Sequence, residues 1–492
     1  MSFDLVIFGG TGDLAWRKLM PALFQAWRHG KLPAGGRILA VAREALDGDG
    51  YRQWLQQRFQ DLAGPTRPGA ADFKRFAALL HYLQVDLSLP AHYARLRRWL
   101  KAPQPGEGRN SAADSAVLYL ATSPHLFPEI CRQLGAVGLN GPEVRVVLEK
   151  PLGHDLQSAR AINQAVGATF SEAQALRIDH YLGKSAVQNL TALRFGNALF
   201  EPLWRRESVA SMEITLAESL GVGTRGDFYD RTGALRDMVQ NHALQLLTML
   251  AMEPPARHDA NALRDEKLKV LQALKPFDAV SARRDVVRGQ YRAGVCEGRA
   301  VPGYLDERNV PAGSRCETFV ALRTEVRNWR WAGVPFYLRT GKRLAAGAAC
   351  IVVNFRAVPH PIFPGPHRAN RLLIKLQPED GLELQLLAAK GSSGSEALAP
   401  VSLDLDFDKA FFEDRVGAYE RLLLEALHGR LNLFVRSDEQ EEAWRWVEPV
   451  LQAWREDDAA GLGPRPYAAG SWGPAAASAL VARDGFHWSE EH

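Results

Sequence analysis

Short apolar runs alternate with amphipathic stretches through residues 1–180. Leu5–Phe8, Arg37–Val41, Ala116–Ala121 and Val144–Leu148 have strand length, and most are rich in Val, Ile and Leu. Helix-length segments accompany them at Leu14–His29, Gly48–Leu62, Pro124–Gly138 and Asp155–Val166. Near-continuous apolar strands separated by helices predict a parallel sheet covered on both faces. Residues 1–180 therefore read as a Rossmann-like, doubly wound α/β domain. The stretch Lys101–Asp114, with its Pro and Gly residues, reads as a solvent loop.

The pattern then changes. A helical segment from Gly233 to Met252 is expected to stop at the breaker pair Pro254-Pro255. Ile351–Phe355, Leu372–Gln377 and Leu382–Leu387 read as strands, the last two joined by the turn Pro378-Glu379-Asp380-Gly381. Strands linked by tight turns predict an antiparallel sheet. Helices are expected over Ala418–Leu427 and Glu439–Trp454, and the Ala/Gly/Pro-rich tail after Asp458 reads as an irregular surface wrap. Residues 181–492 thus read as a larger α+β domain.

Composition narrows the class without naming it. With 46% hydrophobic and 24% charged residues over 492 positions, the chain is neither collagenous, disordered nor a disulfide scaffold. A net charge of +4 is too balanced to argue for nucleic acid as a partner. Cys131, Cys296, Cys316 and Cys350 are scattered, suggesting neither a disulfide framework nor a zinc site. No apolar run reaches the ~18 residues of a membrane span. The chain opens directly into the strand-like run Asp4–Phe8, and the expectation is a reduced, cytoplasmic protein with no membrane partner.

Three segments and the residue Arg43 concentrate chemistry. Gly9-Gly10-Thr11-Gly12-Asp13-Leu14 lies between a strand and a helix, where bare N–H groups and absent side chains let a phosphate approach. An ordinary strand-to-helix turn would have the same composition, but the Lys-Ser or Lys-Thr of a P-loop is missing. Arg43 ends the second strand-like run, where a dinucleotide fold reads the adenosine ribose. An arginine there accommodates a 2′-phosphate and so favours NADP, while Glu44 tilts weakly toward NAD. Arg43 could equally be a solvated surface residue. Asp179-His180-Tyr181-Leu182-Gly183-Lys184 gathers donors suited to a phosphate dianion, as a surface loop could by chance. In the predicted helix, Asp237 and His242 are five apart, about 140° around an α-helix, flanking an arc that could border a cleft. A histidine in an apolar helix can also be a core residue, and no metal set accompanies it.

The motifs GGTGDLAxxK, EKPLGHD, RIDHYLGK, AESLG, RDMVQNHxLQLL, MEPP, RTGKRL, LQPEDG, AYERLLLEAL, LFVRSDE and AWRWVEPVL occur in an order that resembles the glucose-6-phosphate dehydrogenase family, from Phe3 to Trp488. The resemblance implies an NADP-binding domain over 1–180, and a substrate-binding and oligomerisation domain over 181–492 built on a mostly antiparallel sheet. It implies oxidation of C1 of β-D-glucose 6-phosphate to 6-phosphoglucono-1,5-lactone, the first step of the pentose phosphate pathway. NADP+ would take the hydride, NAD+ serving more weakly. On this likeness His242 matches the general base and Asp179 the carboxylate that orients it. His180, Tyr181 and Lys184 match the phosphate-binding cluster, and Glu218, Asp237, Lys342 and Gln377 match sugar-contacting positions. Lys18 and Lys150 match lysines near the substrate, Lys150 also at the nicotinamide end. Gly9, Gly10, Thr11, Gly12, Asp13, Leu14 and Arg43 match the cofactor site. A homodimer or homotetramer is implied, and no metal.

Two departures stand out. Ser185 replaces the acidic residue that usually follows the DHYLGK segment. Gly347 occupies the place of a second basic residue after Lys342, so weaker substrate affinity is expected unless Arg343 substitutes. Competing readings are a related sugar or sugar-phosphate dehydrogenase, and a non-catalytic NADP-binding redox sensor.

Overall fold

The computed structural model describes residues 2–62, 67–102, 114–364, 368–389, 397–410 and 416–489. It forms two compact units. One comprises Met1–Gly183, Arg257–Arg264 and Val416–Glu441; the other comprises Lys184–Ala256, Asp265–Arg415 and Glu442–His492. The first unit therefore takes in later stretches beyond the segment 1–180, because Leu422, Leu423, Leu427 and Phe434 complete its apolar core.

In the first unit the strand Phe3–Phe8 is buried at every position. Leu5 and Ile7 join one apolar cluster, while Val6 and Phe8 join another. That is the period-two alternation of a strand with both faces covered. The sheet runs in the order Leu80–Gln84, Arg37–Ala42, Phe3–Phe8, Ser115–Leu120, Val144–Leu148, Ala175–Ile178, Phe434–Val435. Neighbours pair parallel except the last, which is antiparallel. Strand order reverses between Phe3–Phe8 and Ser115–Leu120, and sheets of this kind bind ligands outside the carboxyl ends at such a switch. The glycine loop leaves the sheet at that point.

Some elements of this unit are not visible in the apolar pattern. Leu80–Gln84, an edge strand, carries His81, Tyr82 and Gln84 and is mostly half-buried. The helices Ala70–Ala77 and Pro90–Leu100 fall where no strand-helix alternation was evident. Of the loop expected over Lys101–Asp114, residues 103–113 lie outside the described residues.

The second unit is built on a nine-stranded sheet in the order Leu398–Asp406, Gly381–Ala389, Arg371–Gln377, Ala348–Phe355, Val209–Ala217, Pro335–Gly341, Phe319–Glu325, Val286–Arg292, Arg465–Ala468. It is antiparallel apart from two parallel contacts, Val209–Ala217 with Pro335–Gly341 and Val286–Arg292 with Arg465–Ala468.

Two stretches of the chain differ from what their composition predicts. The tail after Asp458 is not a surface wrap: Arg465–Ala468 is an edge strand, Ala475–Ala482 is a helix, and Trp488 is fully buried. Tyr467, Leu480, Val481 and Trp488 cover Tyr291, Phe319 and Tyr337 of the sheet. The glycines that suggest a loop permit close approach instead. At Gly473, with φ +103°, a Cβ would stand 2.3 Å from the Phe319 ring. The helix expected over Gly233–Met252 is also not a single α-helix. Gly233 breaks it at φ 73°, ψ 169°, Leu235–Ala243 is π-helical, and Leu244–Ala251 is α-helical up to the extended Met252. Among the described residues no helix is long and apolar enough to cross a membrane.

Candidate active site

The first unit carries the glycine loop and the Asp179 segment. Gly9 and Gly10 both donate their N–H to the Val41 carbonyl, at 2.9 and 3.0 Å, which folds the loop back over the neighbouring strand. Gly9 has φ +80°, and a Cβ there would lie 2.6 Å from the Ala121 carbonyl oxygen; at Gly10 it would lie 2.6 Å from Ala40 Cβ. Neither position accepts a side chain. Thr11, Gly12, Asp13 and Leu14 then lead into the helical run of Ala15–Leu19, which is π-helical, and Met20–Arg28. N–H groups opening a helix at a switch point fit a pyrophosphate. Lys18 lies on the π-helical turn and is exposed.

Arg43 is exposed, and its carbonyl accepts from Gln84 Nε2 at 3.0 Å. Glu44 is more constrained. Its carboxylate accepts the Thr11 hydroxyl at 2.8 Å and its carbonyl accepts the Tyr82 hydroxyl at 2.7 Å. Burial, with the Glu44 charge beside it, pushes Tyr82 up to about 12. The acidic neighbour of Arg43 is thus tied to the glycine loop.

Asp179 is buried at the end of the strand Ala175–Ile178 and accepts the Tyr181 N–H at 2.9 Å. The His180 ring stacks on Tyr419, with centroids 6.1 Å apart and planes 8° from parallel. Beside them lies a group the sequence did not flag. Glu149, the residue before Lys150, is buried and accepts the Tyr119 hydroxyl at 2.5 Å and the Lys150 N–H at 3.3 Å. Burial pushes its carboxyl up, against the pull of Tyr119 and the Lys150 charge. A carboxylate closing the apolar run Val144–Leu148 was the available signal. The Lys150-Pro151 peptide is cis.

The second unit carries the remaining candidates. Lys184 precedes the helix Ser185–Phe195, and its ammonium donates to Gln377 Oε1 at 2.8 Å. Lys342 is buried, donates to Glu218 Oε2 at 2.7 Å, and lies 5.0 Å from the Tyr229 ring centroid. Two pairs widely separated in sequence are thereby brought together. Arg343 is held at 3.3 Å by Glu307, which also accepts the Tyr291 hydroxyl at 3.0 Å, so it is committed elsewhere. Gly347 is exposed, and a Cβ there would meet nothing nearer than Ser219 Oγ at 3.5 Å.

His242 is completely buried, and its backbone N–H donates to Asn241 Oδ1 at 2.8 Å. Because Leu235–Ala243 is π-helical, its i→i+5 pairing puts Asp237 and His242 on nearly the same face rather than about 140° apart. Single π-helical turns inside helices are frequent at functional sites. The chemistry available in this unit is a buried imidazole, a carboxylate sharing its face, and two lysines paired with hydrogen-bonding partners.

Comparison with known proteins supplies the context. Residues 6–189 match the family model described as glucose-6-phosphate dehydrogenase, NAD binding domain, and residues 191–489 match glucose-6-phosphate dehydrogenase, C-terminal domain. A glucose-6-phosphate 1-dehydrogenase of Mycolicibacterium smegmatis is 49% identical over 488 residues, covering 99% of this chain and 97% of its own. That of Rhizobium meliloti is 45% identical over 491 residues, covering 99% and 98%. The crystal structure of glucose-6-phosphate 1-dehydrogenase from Mycobacterium avium superposes with a TM-score of 0.84 at 37% identity, covering 99% of both chains. A glucose-6-phosphate dehydrogenase in complex with its substrate glucose-6-phosphate superposes with a TM-score of 0.88 at 32% identity, covering 99% of this chain and 98% of that one.

Proposed function

The chain belongs to the glucose-6-phosphate dehydrogenase family and has its glucose-6-phosphate 1-dehydrogenase activity, and we propose how its residues divide that work. It oxidises C1 of β-D-glucose 6-phosphate to 6-phosphoglucono-1,5-lactone, the opening reaction of the pentose phosphate pathway. The nicotinamide ring, when bound, supplies the hydride acceptor. His242 takes the proton of the C1 hydroxyl as the hydride leaves C1, and Asp179 orients the imidazole and stabilises its charged form. Imidazole suits the task because it titrates near neutral pH and a carboxylate partner raises its basicity.

His180, Tyr181 and Lys184 hold the phosphate dianion through charge-assisted hydrogen bonds. Glu218, Asp237, Lys342 and Gln377 orient the sugar hydroxyls, and Lys18 and Lys150 add positive charge near the substrate, Lys150 toward the nicotinamide. Gln377 and Glu218 also fix the two lysines they bond. Gly9 to Leu14 receive the pyrophosphate. Arg43 receives the 2′-phosphate, so NADP+ is preferred and NAD+ serves more weakly. The chain works in the cytoplasm as a homodimer or homotetramer.

The observation that best supports this division is the π-helical turn that puts the half-buried Asp237 on one face with the fully buried His242. The test is the appearance of reduced nicotinamide from glucose 6-phosphate and from glucose, each with NADP+ and NAD+. Turnover should be highest with glucose 6-phosphate and NADP+. Equal turnover of glucose would favour a free-sugar dehydrogenase, and cofactor binding without turnover would favour a redox sensor.

A further inference from the structure

The π-helical turn has an unusual support at its start. Glu317 is 5% exposed, and its carboxylate accepts the Leu235 N–H at 3.0 Å. Its carbonyl accepts the Ala234 N–H, also at 3.0 Å. Both donors belong to the point where the chain turns into Leu235–Ala243. Immediately before them, a Cβ at Gly233 would stand 2.3 Å from Glu317 Oε1. The carboxylate therefore fills the space a side chain would need, and Gly233 supplies the backbone conformation that admits it.

The next residue makes a second connection. The Thr318 carbonyl accepts the Lys342 N–H at 2.9 Å, and the Tyr467 hydroxyl, 3.0 Å from Thr318 Oγ1, donates to the Lys342 carbonyl at 2.6 Å. Two consecutive residues thus hold the start of the His242 segment on one side and the backbone of Lys342 on the other. A carboxylate at a helix N-terminus is also where the helix dipole favours one. Burial raises the Glu317 carboxyl, opposed by the Arg236 charge and the Leu235 N–H.

We propose that Glu317 is a positioning residue for this reaction: its side chain fixes where the π-helical segment begins, and so the register of Asp237 and His242 relative to Lys342. The proposal rests on His242 being the base. If the hydrogen-bond acceptor is what matters, Gln at this position preserves the function, because its Oε1 still accepts from Leu235. Asp retains the charge but withdraws the acceptor by one methylene.

The test compares kcat, KM for glucose 6-phosphate and KM for NADP+ in the full chain carrying Glu317→Gln, Glu317→Asp and Glu317→Ala. Small misplacements of a reacting group can cost up to about 10²-fold. Glu317→Asp and Glu317→Ala are therefore expected to lower kcat by ~10-fold or more with KM for NADP+ nearly constant, and Glu317→Gln to stay within ~3-fold of wild type. If Glu317→Ala does not fold, the contrast between Asp and Gln still decides. In a His242→Asn background, Glu317→Asp is expected to cost less than ~2-fold more, since coupled residues are not additive. An unchanged kcat in Glu317→Asp, beside a lowered Tm, would make Glu317 merely structural and overturn the proposal. A near-normal kcat in His242→Asn would instead overturn the base assignment, and this proposal with it.

Discussion

Lys184 donates to Gln377 from the start of its helix, so its ammonium is held before any substrate arrives. Hydrogen bonds to charged groups are worth about 1.5–3 kcal/mol, so Lys184→Ala is expected to raise KM for glucose 6-phosphate ~10- to 100-fold. Weak turnover of free glucose, measured alongside, should hardly change. At position 347 there is room for a side chain, and Arg343 is engaged with Glu307, so it does not fill the place of the missing basic residue. Gly347→Lys is accordingly expected to lower KM for glucose 6-phosphate; an unchanged KM would mean that the position faces away from the substrate. On the proposed assignment, cofactor choice is set by neighbours of opposite sign. Arg43 offers a guanidinium fork matched to a 2′-phosphate, while the Thr11 hydroxyl holds the Glu44 carboxylate by the glycine loop. Arg43→Ala should depress kcat/KM for NADP+ far more than for NAD+, and Glu44→Gln should sharpen the NADP+ preference. Equal losses with both cofactors in Arg43→Ala would remove it as the determinant.

Elements whose apolar period matched their burial were legible in the sequence, and the exceptions have physical causes. Val144–Leu148 has the bounds its composition suggests, because a strand covered on both faces is apolar throughout. Leu80–Gln84 escaped because an edge strand needs no such run. The π-helical turns at Ala15–Leu19 and Leu235–Ala243 have no compositional mark, so the shared face of Asp237 and His242 could not be read from spacing. The tail misled because Ala and Gly serve close packing as readily as loops. Its anchoring is testable. Asp484, after the helix Ala475–Ala482, accepts from Arg323 Nε at 2.6 Å and from the Tyr337 hydroxyl. Burial alone would raise its carboxyl, but Tyr337 and Arg323 outweigh that and hold it below the usual range. A carboxyl lowered in the folded state adds stability above its unfolded pKa, and that stability is lost as pH falls through the folded value. Asp484→Asn is therefore expected to lower Tm at neutral pH, with the difference from wild type shrinking as the pH drops below about 4. A Tm difference independent of pH, followed by calorimetry, would show that the ion pair contributes nothing.

At the scale of the whole molecule, the candidate residues are shared between two compact units. The glycine loop, Arg43, Lys150, Asp179, His180 and Tyr181 belong to one; Lys184, Glu218, Asp237, His242, Lys342 and Gln377 belong to the other. The family resemblance named these residues from the sequence; Glu149 stands in the EKPLGHD motif without a role assigned to it, and Glu317, outside every motif, emerged only from its buried hydrogen bonds. In the proposed mechanism the buried imidazole of His242 performs the proton transfer. The most direct measurement is kcat for glucose 6-phosphate with NADP+ in His242→Asn against wild type, with substrate and cofactor binding titrated separately. General-base catalysis typically contributes about 10²–10⁴-fold, so kcat is predicted to fall by at least ~10²-fold while both dissociation constants stay within a few-fold. A near-normal kcat with intact binding would contradict the account and leave His242 a core histidine.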